Sequence, residues 1–245
     1  MKILLYVTTH LSPQHVRFLS TCWPNVLRSF AEVNAESSLA FFITPRLDAN
    51  HSSTTRDLNV MALGLSDHIR NVTVIASSVR GKQAGAIAAM MDRRAAALFA
   101  RHDWVLRLNP DVIVEDASYL LSLMGRTLPG SRTLCAILCN CHHNSKVLRV
   151  MSDFVAFRPR AIDRTVDPGR VRTYYGASGS GMGSAEHEMT RLLVPTLDSG
   201  RYMWLSHSIQ PYCRVRLPGI VYHYFEYNSP PLNCAKRRGG ISATA

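Results

Sequence analysis

His102-Asp103-Trp104-Val105-Leu106-Arg107-Leu108-Asn109-Pro110-Asp111-Val112-Ile113-Val114-Glu115-Asp116 is the stretch on which the fold of this chain turns. Trp104–Leu108 is an apolar run of strand length, and Asn109-Pro110-Asp111 ends it. A helical pattern follows over Asp116–Met124, with Asp116 suited to cap it. In a parallel α/β sheet, ligands bind at the carboxyl ends of the strands. Asp111 stands at such an end, where a carboxylate can hold a hard divalent cation that bridges nucleotide phosphates. Asn109, two residues earlier, lies to the same side and can hydrogen-bond a ribose or contact the metal. Asn, Pro and Asp are also ordinary turn residues, so spacing alone leaves a plain strand-ending turn open.

Outward from this stretch, short apolar runs alternate with helical patterns. Strands are expected at Lys2–Val7, Leu39–Ile43, Val72–Ala76 and Trp104–Leu108. Between them, helices are expected over His15–Glu32, kinked or split at Pro24, over Thr54–Leu65, and over Ala84–Arg101, where Ile87, Met90, Met91 and Leu98 share one face. This alternation predicts a layered α/β fold with a mostly parallel sheet flanked by helices. The later half reads as strands at Leu134–Cys139, Asp153–Phe157 and Ile220–Phe225, a glycine-rich loop over 166–183, and a helix at Glu186–Leu193. No repeat or linker divides the chain. Residues 1–235 are therefore expected to form one domain, with a nucleotide-binding half to 115 and an acceptor and sugar half beyond it. Residues 236–245, basic and glycine-containing, read as a disordered tail.

The 245 residues carry 28 Lys+Arg against 17 Asp+Glu, a formal net charge of +11, and 24 of the 28 cations are arginine. Arginine suits planar, bidentate binding of phosphate or carboxylate. Such a balance also fits nucleic-acid binding, but the arginines are scattered and no reading module accompanies them, so no nucleic-acid partner is expected. Hydrophobic residues at 47% and charged ones at 18% exclude a disordered chain. No run approaches the roughly 18–20 apolar residues that span a bilayer, and the apolar start is too short for a signal peptide. A soluble, cytoplasmic protein is the expectation. The six cysteines, at 22, 135, 139, 141, 213 and 234, show no framework spacing. They are expected to be reduced, with Cys135 and Cys139 as small hydrophobes in a buried strand rather than zinc ligands beside Cys141, His142 and His143.

The stretch ending in Asn109-Pro110-Asp111 resembles the metal-binding acidic motif of the GT-A glycosyltransferases, which use nucleotide-diphosphate sugars. In that superfamily an apolar strand ends in Asp-x-Asp, and the last Asp holds Mn²⁺ or Mg²⁺ on the diphosphate. Here Asn109 replaces the first Asp. Arg80-Gly81-Lys82-Gln83-Ala84-Gly85, the Ala-rich helix and the strand after it follow the family's order as well, over roughly residues 1–115. So compact a version is similar to the stand-alone enzymes of algae and their large viruses. The resemblance implies a single GT-A-like, Rossmann-related domain. It implies a nucleotide-sugar donor, most often a UDP-sugar, and a glycan, glycoprotein or small-molecule acceptor. Donor contacts would come from Thr8, Thr9 and His10 after the first strand, and from Lys82, Asn109 and Asp111. His223, in Tyr222-His223-Tyr224, would join Asp111 on the metal, with His207 as the competing candidate.

Three acidic residues remain for chemistry. Glu186 and Glu188 open a helix behind the glycine loop, and either carboxylate can deprotonate an acceptor hydroxyl; Glu186, nearest the loop, is favoured over Glu188 and His187. Acids in a first helical turn behind Ser184 are also ordinary helix-start chemistry. Asp153 opens a strand that, in the resembling fold, flanks the donor sugar. Arg158 and Arg160 follow it, near the diphosphate or at the surface. A nucleotidyltransferase shares the α/β fold and the metal, but lacks support from a glycine-rich first loop.

Overall fold

The computed structural model describes residues 1–33, 36–44, 65, 72–78, 82–140, 150–165, 185–205 and 220–221. The expected glycine loop over 166–183, the tail over 236–245, and Arg80, Cys141, His142, His143, Ser184, His207 and His223 lie outside these. So does the expected helix over 54–65, save for Leu65, which is buried in the core.

The chain begins with β1 (Lys2–Thr9), then α1 (Pro13–Thr21) and α2 (Trp23–Glu32). Of the two outcomes expected near Pro24, a kink or a split, the structure shows the split. The break falls at Cys22, because Pro24 sits in the first turn of α2, where a proline's missing N–H costs nothing. β2 (Glu36–Ile43) and β3 (Val72–Ala76) follow, then α3 (Lys82–Met91) and α4 (Arg93–Phe99). These last two replace one expected helix. Asp92 takes an extended backbone between them, and its carboxylate accepts from the N–H groups of Arg94 and Ala95. Asp competes better for a helix start than for a helix interior.

Next come β4 (Trp104–Leu108), β5 (Ile113–Val114), α5 (Ala117–Met124), β6 (Thr127–Leu128), β7 (Arg132–Thr133), β8 (Ala136–Asn140) and β9 (Val150–Phe157). Asp116 caps α5 through the Ser118 N–H, as its position predicts. α6 (Ala185–Leu192), α7 (Val194–Asp198), β10 (Tyr202–Trp204) and β11 (Ile220–Val221) complete the order.

Seven strands form the central sheet in the order β10-β8-β9-β4-β1-β2-β3. β9 runs antiparallel to both its neighbours, and the other pairings are parallel. Each face carries its own core. Ile3, Leu5, Val7, Phe41, Leu106 and Leu108 pack with Leu19, Phe30 and Leu120 of α1, α2 and α5 on one side. Tyr6, Phe42, Val105, Val155 and Phe157 pack with Met90, Phe99 and Met189 of α3, α4 and α6 on the other. This is the three-layered, mostly parallel α/β arrangement that the sequence pattern and the GT-A resemblance imply.

Two local features fix how the layers meet at the carboxyl edge. The Trp23 Nε1–H of α2 donates to the buried Pro110 carbonyl at 2.9 Å, which pins the turn after β4. α3 crosses so close to the end of β2 that a Cβ on Gly85 would stand 2.6 Å from Thr44 Cγ2. Only glycine allows that approach.

Cys22 and Cys139 are disulfide-bonded, and Cys135 is a buried free thiol. This corrects the expectation of uniformly reduced cysteines. Spacing cannot show which distant cysteines a fold brings together. Disulfides persist in oxidising surroundings, so the cysteines lend no support to a cytoplasmic setting. Nor can a disulfide-bonded Cys139 offer a metal its thiolate. Among the described residues, no helix is long and apolar enough to cross a membrane.

Candidate functional site

The carboxyl edge of the sheet gathers polar side chains on the face covered by α3 and α6. Two rows of side chains run across β1, β4 and β9 here. The inner row is Tyr6, Arg107 and Val155, neighbours by register. Side chains alternate along a strand, so the next row on the same face is Thr8, Asn109 and Asp153. Its members are hydrogen-bonded in sequence. The Thr8 hydroxyl donates to Asn109 Oδ1 at 3.1 Å. The Asn109 amide donates from Nδ2 to Asp153 Oδ1 at 2.5 Å, and its backbone N–H donates to the Asp153 carbonyl at 2.9 Å.

Asp153 thus lies inside β9, opposite Asn109, because β9 begins at Val150 and not at Asp153 as the sequence suggested. From the α6 side, Glu186 reaches the same row. Ser152 Oγ lies 3.0 Å from Glu186 Oε1 and 3.4 Å from Asp153 Oδ1, so a single hydroxyl proton serves one carboxylate at a time. Glu188, the other acid considered, is buried, with Oε2 3.5 Å from Arg191 Nη1.

Beneath the row sits Arg107, 1% exposed. Its Nη1 lies 4.0 Å from Asp153 Oδ1. Burial pushes its guanidinium below the ordinary arginine value, and Asp153, Tyr6, Glu186 and Asp111 act in the opposite direction. Tyr6 is the neighbour that cannot share the negative charge at neutral pH: burial pushes its phenol well above its ordinary value, and its hydroxyl donates to the Ala89 carbonyl at 2.8 Å. The cation therefore faces carboxylates from β9, from α6 and from the turn after β4.

The remaining expected residues are placed as follows. Thr8 and Thr9 are both buried. Thr9 Oγ1 accepts from the Leu11 N–H at 3.0 Å and lies 3.0 Å from His15 Nδ1. Leu11 takes a positive φ of 53° to let the chain turn there. Both threonine hydroxyls therefore serve protein partners, and His10 beside them is half-buried. Its ring meets His15 edge-on, 4.3 Å between centroids. Asp111 is half-buried in the turn that the Val112 N–H closes onto the Asn109 carbonyl. Lys82 is the first residue of α3. His223 lies outside the described residues, but β11 pairs antiparallel with β5, and Val221 faces Ile113, two residues beyond Asp111. Arg158 and Arg160 stand at the other end of the sheet. Arg158 follows the far end of β9, stacks on Trp104 at 4.8 Å and donates to the Leu134 carbonyl.

Arg107, Ser152, His15 and Trp23 were not read from the sequence as part of a site. Arg107 carried a usable signal: a charge inside an otherwise apolar strand requires a buried partner.

Among the described residues, no three His, Cys, Asp or Glu side chains converge as a ready-made metal cage. A Mg²⁺-type ion on a nucleotide needs less than that: one or two carboxylates, with phosphates and waters completing its shell. Asp111, a half-buried carboxylate at the carboxyl edge and one of the groups acting on Arg107, fits that donor requirement.

No protein-family model matches the chain, and no curated protein matches it. Among solved structures it is similar to a glycosyltransferase involved in glycosylation of the major capsid of PBCV-1, at 10% identity over 83% of this chain and 81% of that one, with a TM-score of 0.48. It is also similar to mouse xyloside xylosyltransferase 1, at 9% identity over 84% and 85%, with a TM-score of 0.42. A cytidylyltransferase from Leptospira borgpetersenii serovar Hardjo-bovis is similar at 13% identity over 86% and 77%, with a TM-score of 0.44. Likenesses this remote decide nothing about the reaction.

Proposed function

We propose that this chain is a glycosyltransferase that moves a sugar from a nucleoside-diphosphate donor, a UDP-sugar in the first instance, to an acceptor hydroxyl. The observation that carries the reading is the hydrogen-bonded row Thr8–Asn109–Asp153, with Glu186 above it, at the carboxyl ends of β1 and β4. That edge is where α/β sheets bind nucleotides.

Asp111 would hold a Mn²⁺ or Mg²⁺ ion, with His223 as the further ligand that the GT-A resemblance implies. When bound, the ion offsets the charge that builds on the departing diphosphate. His10 offers its ring to the base, and Lys82 a positive charge to the phosphates. Asn109, whose amide already serves Thr8 and Asp153, shapes the site more than it binds. Asp153 orients donor-sugar hydroxyls. Glu186 takes the acceptor's proton as the acceptor oxygen bonds to the anomeric carbon, and the bond from that carbon to the diphosphate breaks, releasing the nucleoside diphosphate.

The test is a thermal-shift series with nucleoside diphosphates and their sugars, with and without Mn²⁺. A ligand that binds the native state raises the melting temperature. The expected result is a Mn²⁺-dependent rise that Asp111→Ala abolishes while its unliganded melting temperature stays near wild type. A flat response from the wild-type protein to every nucleotide would overturn the reading. Sugar-nucleotide formation from a nucleoside triphosphate and a sugar phosphate would assign it to nucleotidyl transfer instead.

A further inference from the structure

We propose that Arg107 is the positioning residue of this site: from inside the sheet it seats the Asp153 carboxylate and, through Asp153, fixes the direction of the Asn109 amide and the Thr8 hydroxyl. The proposal deepens the donor-site reading above and rests on it only for its kinetic arm.

A guanidinium buried in the middle of a strand is costly. Several kcal/mol of desolvation must be offset by partners, and a well-packed apolar residue often serves stability as well or better. Val105, on the same face of β4, shows that this layer accepts such residues. The kind of pairing is informative too. A stabilising Arg–carboxylate pair is commonly a two-pronged fork at hydrogen-bond distance. Among the described residues Arg107 makes no such fork with a carboxylate. Its Nη1 stands 4.0 Å from Asp153 Oδ1, and among the described residues neither Nε nor Nη1 has a hydrogen-bond acceptor. It acts on Asp153 through charge, and its field also meets Glu186 and Asp111.

Asp153 Oδ1 is the point where the network converges. It receives Asn109 Nδ2 at 2.5 Å, with Ser152 Oγ at 3.4 Å and Arg107 Nη1 at 4.0 Å. With a carboxylate seated there, the Asn109 amide has one orientation. Its nitrogen must face Asp153, so its oxygen must face Thr8, and the Thr8 hydroxyl must point toward Asn109. The reversed amide would set a carbonyl oxygen against the carboxylate. Without the cation, carboxylates from β9, α6 and the turn after β4 would repel one another, and the seat of Asp153 would be lost. The same chain of contacts explains why position 109 holds Asn rather than Asp: Asp153 needs a donor opposite it.

The experiment compares Arg107→Gln and Arg107→Lys with wild type. The first readout is the Asn109 side-chain amide by ¹⁵N NMR, assigned through its absence in Asn109→Ser. Wild type should show amide protons shifted and protected from exchange by the bond to Asp153. Arg107→Lys keeps the charge and should keep that signature. Arg107→Gln should lose it. The second readout is kinetic. Misplacing a catalytic group by a change that never touches substrate costs on the order of 10²-fold in kcat. That loss is expected in Arg107→Gln with donor KM nearly unmoved, and Arg107→Lys should recover most of it.

A folded Arg107→Gln that retains the amide signature overturns the proposal, whatever its activity. If Arg107→Gln does not fold, Arg107→Lys decides: an intact signature supports the proposal, and a folded protein without it overturns it. If neither folds, Arg107→Met combined with Asp153→Asn, which removes both charges, decides: a folded double variant supports the dependence of Asp153 on Arg107, and one that also fails to fold overturns it. Absence of nucleotide binding in wild type would sink the donor-site reading, while the amide measurement would still judge this one.

Discussion

Asn109 and Asp153 face each other where β4 meets β9, joined twice: backbone N–H to carbonyl at 2.9 Å, and side-chain amide to carboxylate at 2.5 Å. The resemblance to an Asp-x-Asp motif would place an acid at 109. In this chain that acid would confront a second carboxylate with no proton to give it.

Asn109→Asp should therefore destabilise the protein. Hydrogen bonds to charged groups contribute about 1.5–3 kcal/mol, and like charges add repulsion to the loss. Combining it with Asp153→Asn reverses donor and acceptor and should restore most of the stability. Urea denaturation of the two single variants and the pair closes a double-mutant cycle, and a coupling near zero would show that the two side chains do not depend on each other.

Much of the sheet was legible because strand runs such as Val72–Ala76 and Trp104–Leu108 are short, apolar and bounded by turn residues. Helix breaks were harder. At Asp92 the chain ends one helix and starts another with no glycine or proline to announce it, whereas the break at Cys22 lies two residues before Pro24. Asn109 and Asp111 stood out because a strand end is a local pattern. Arg107 did not, because its meaning depends on Asp153, and the Asn109–Asp153 contact spans 44 residues of sequence. Ser152 was invisible for the same reason: its partner Glu186 is 34 residues away, on a helix packed against β9.

Gly85→Ala tests the contact between α3 and the end of β2. The new Cβ would meet Thr44 Cγ2 at 2.6 Å and Oγ1 at 2.9 Å. Helix propensity alone favours alanine by up to about 1 kcal/mol. Forcing a methyl into a packed contact costs about 1–3 kcal/mol and should win. Thr44→Ala removes both colliding atoms, so the double variant should recover much of the loss in thermal unfolding. No recovery would mean that the helix is held off by something other than Thr44.

The cysteines can be sorted chemically. Under non-reducing conditions, Cys22 and Cys139 should resist alkylation even after denaturation, because both are disulfide-bonded. Cys135, a buried free thiol whose sulfur lies 3.6 Å from the Thr133 carbonyl, should resist alkylation in the folded protein and react once it unfolds. Peptide mass spectrometry distinguishes the three. Alkylation of Cys22 or Cys139 without reductant would restore the expectation of a reduced protein.

Asp92 supplies a pH-dependent contribution whose direction can be worked out. Its carboxylate accepts from the Arg94 N–H at 2.7 Å and the Ala95 N–H at 3.2 Å, and pairs with Arg94 Nη2 at 2.8 Å. Chiefly through the Arg94 side chain, its pKa is held below the ordinary 3.8. A group depressed in the folded state adds stability that is complete above its unfolded pKa and lost as pH falls through the folded one. Arg94 is largely exposed, so solvent screens the ion pair, and the helix cap is the larger part. Asp92→Ala should cost about 1 kcal/mol at neutral pH. The gap to wild type should narrow below pH 3.8 as wild-type Asp92 takes up its proton. Asp92→Asn, still a good cap but uncharged, should lose less, and its smaller gap to wild type should close over the same range, because the titrating group is the wild-type carboxylate. Unfolding curves across that range settle it: a gap that stays constant while both proteins remain folded would mean that the charge on Asp92 contributes nothing.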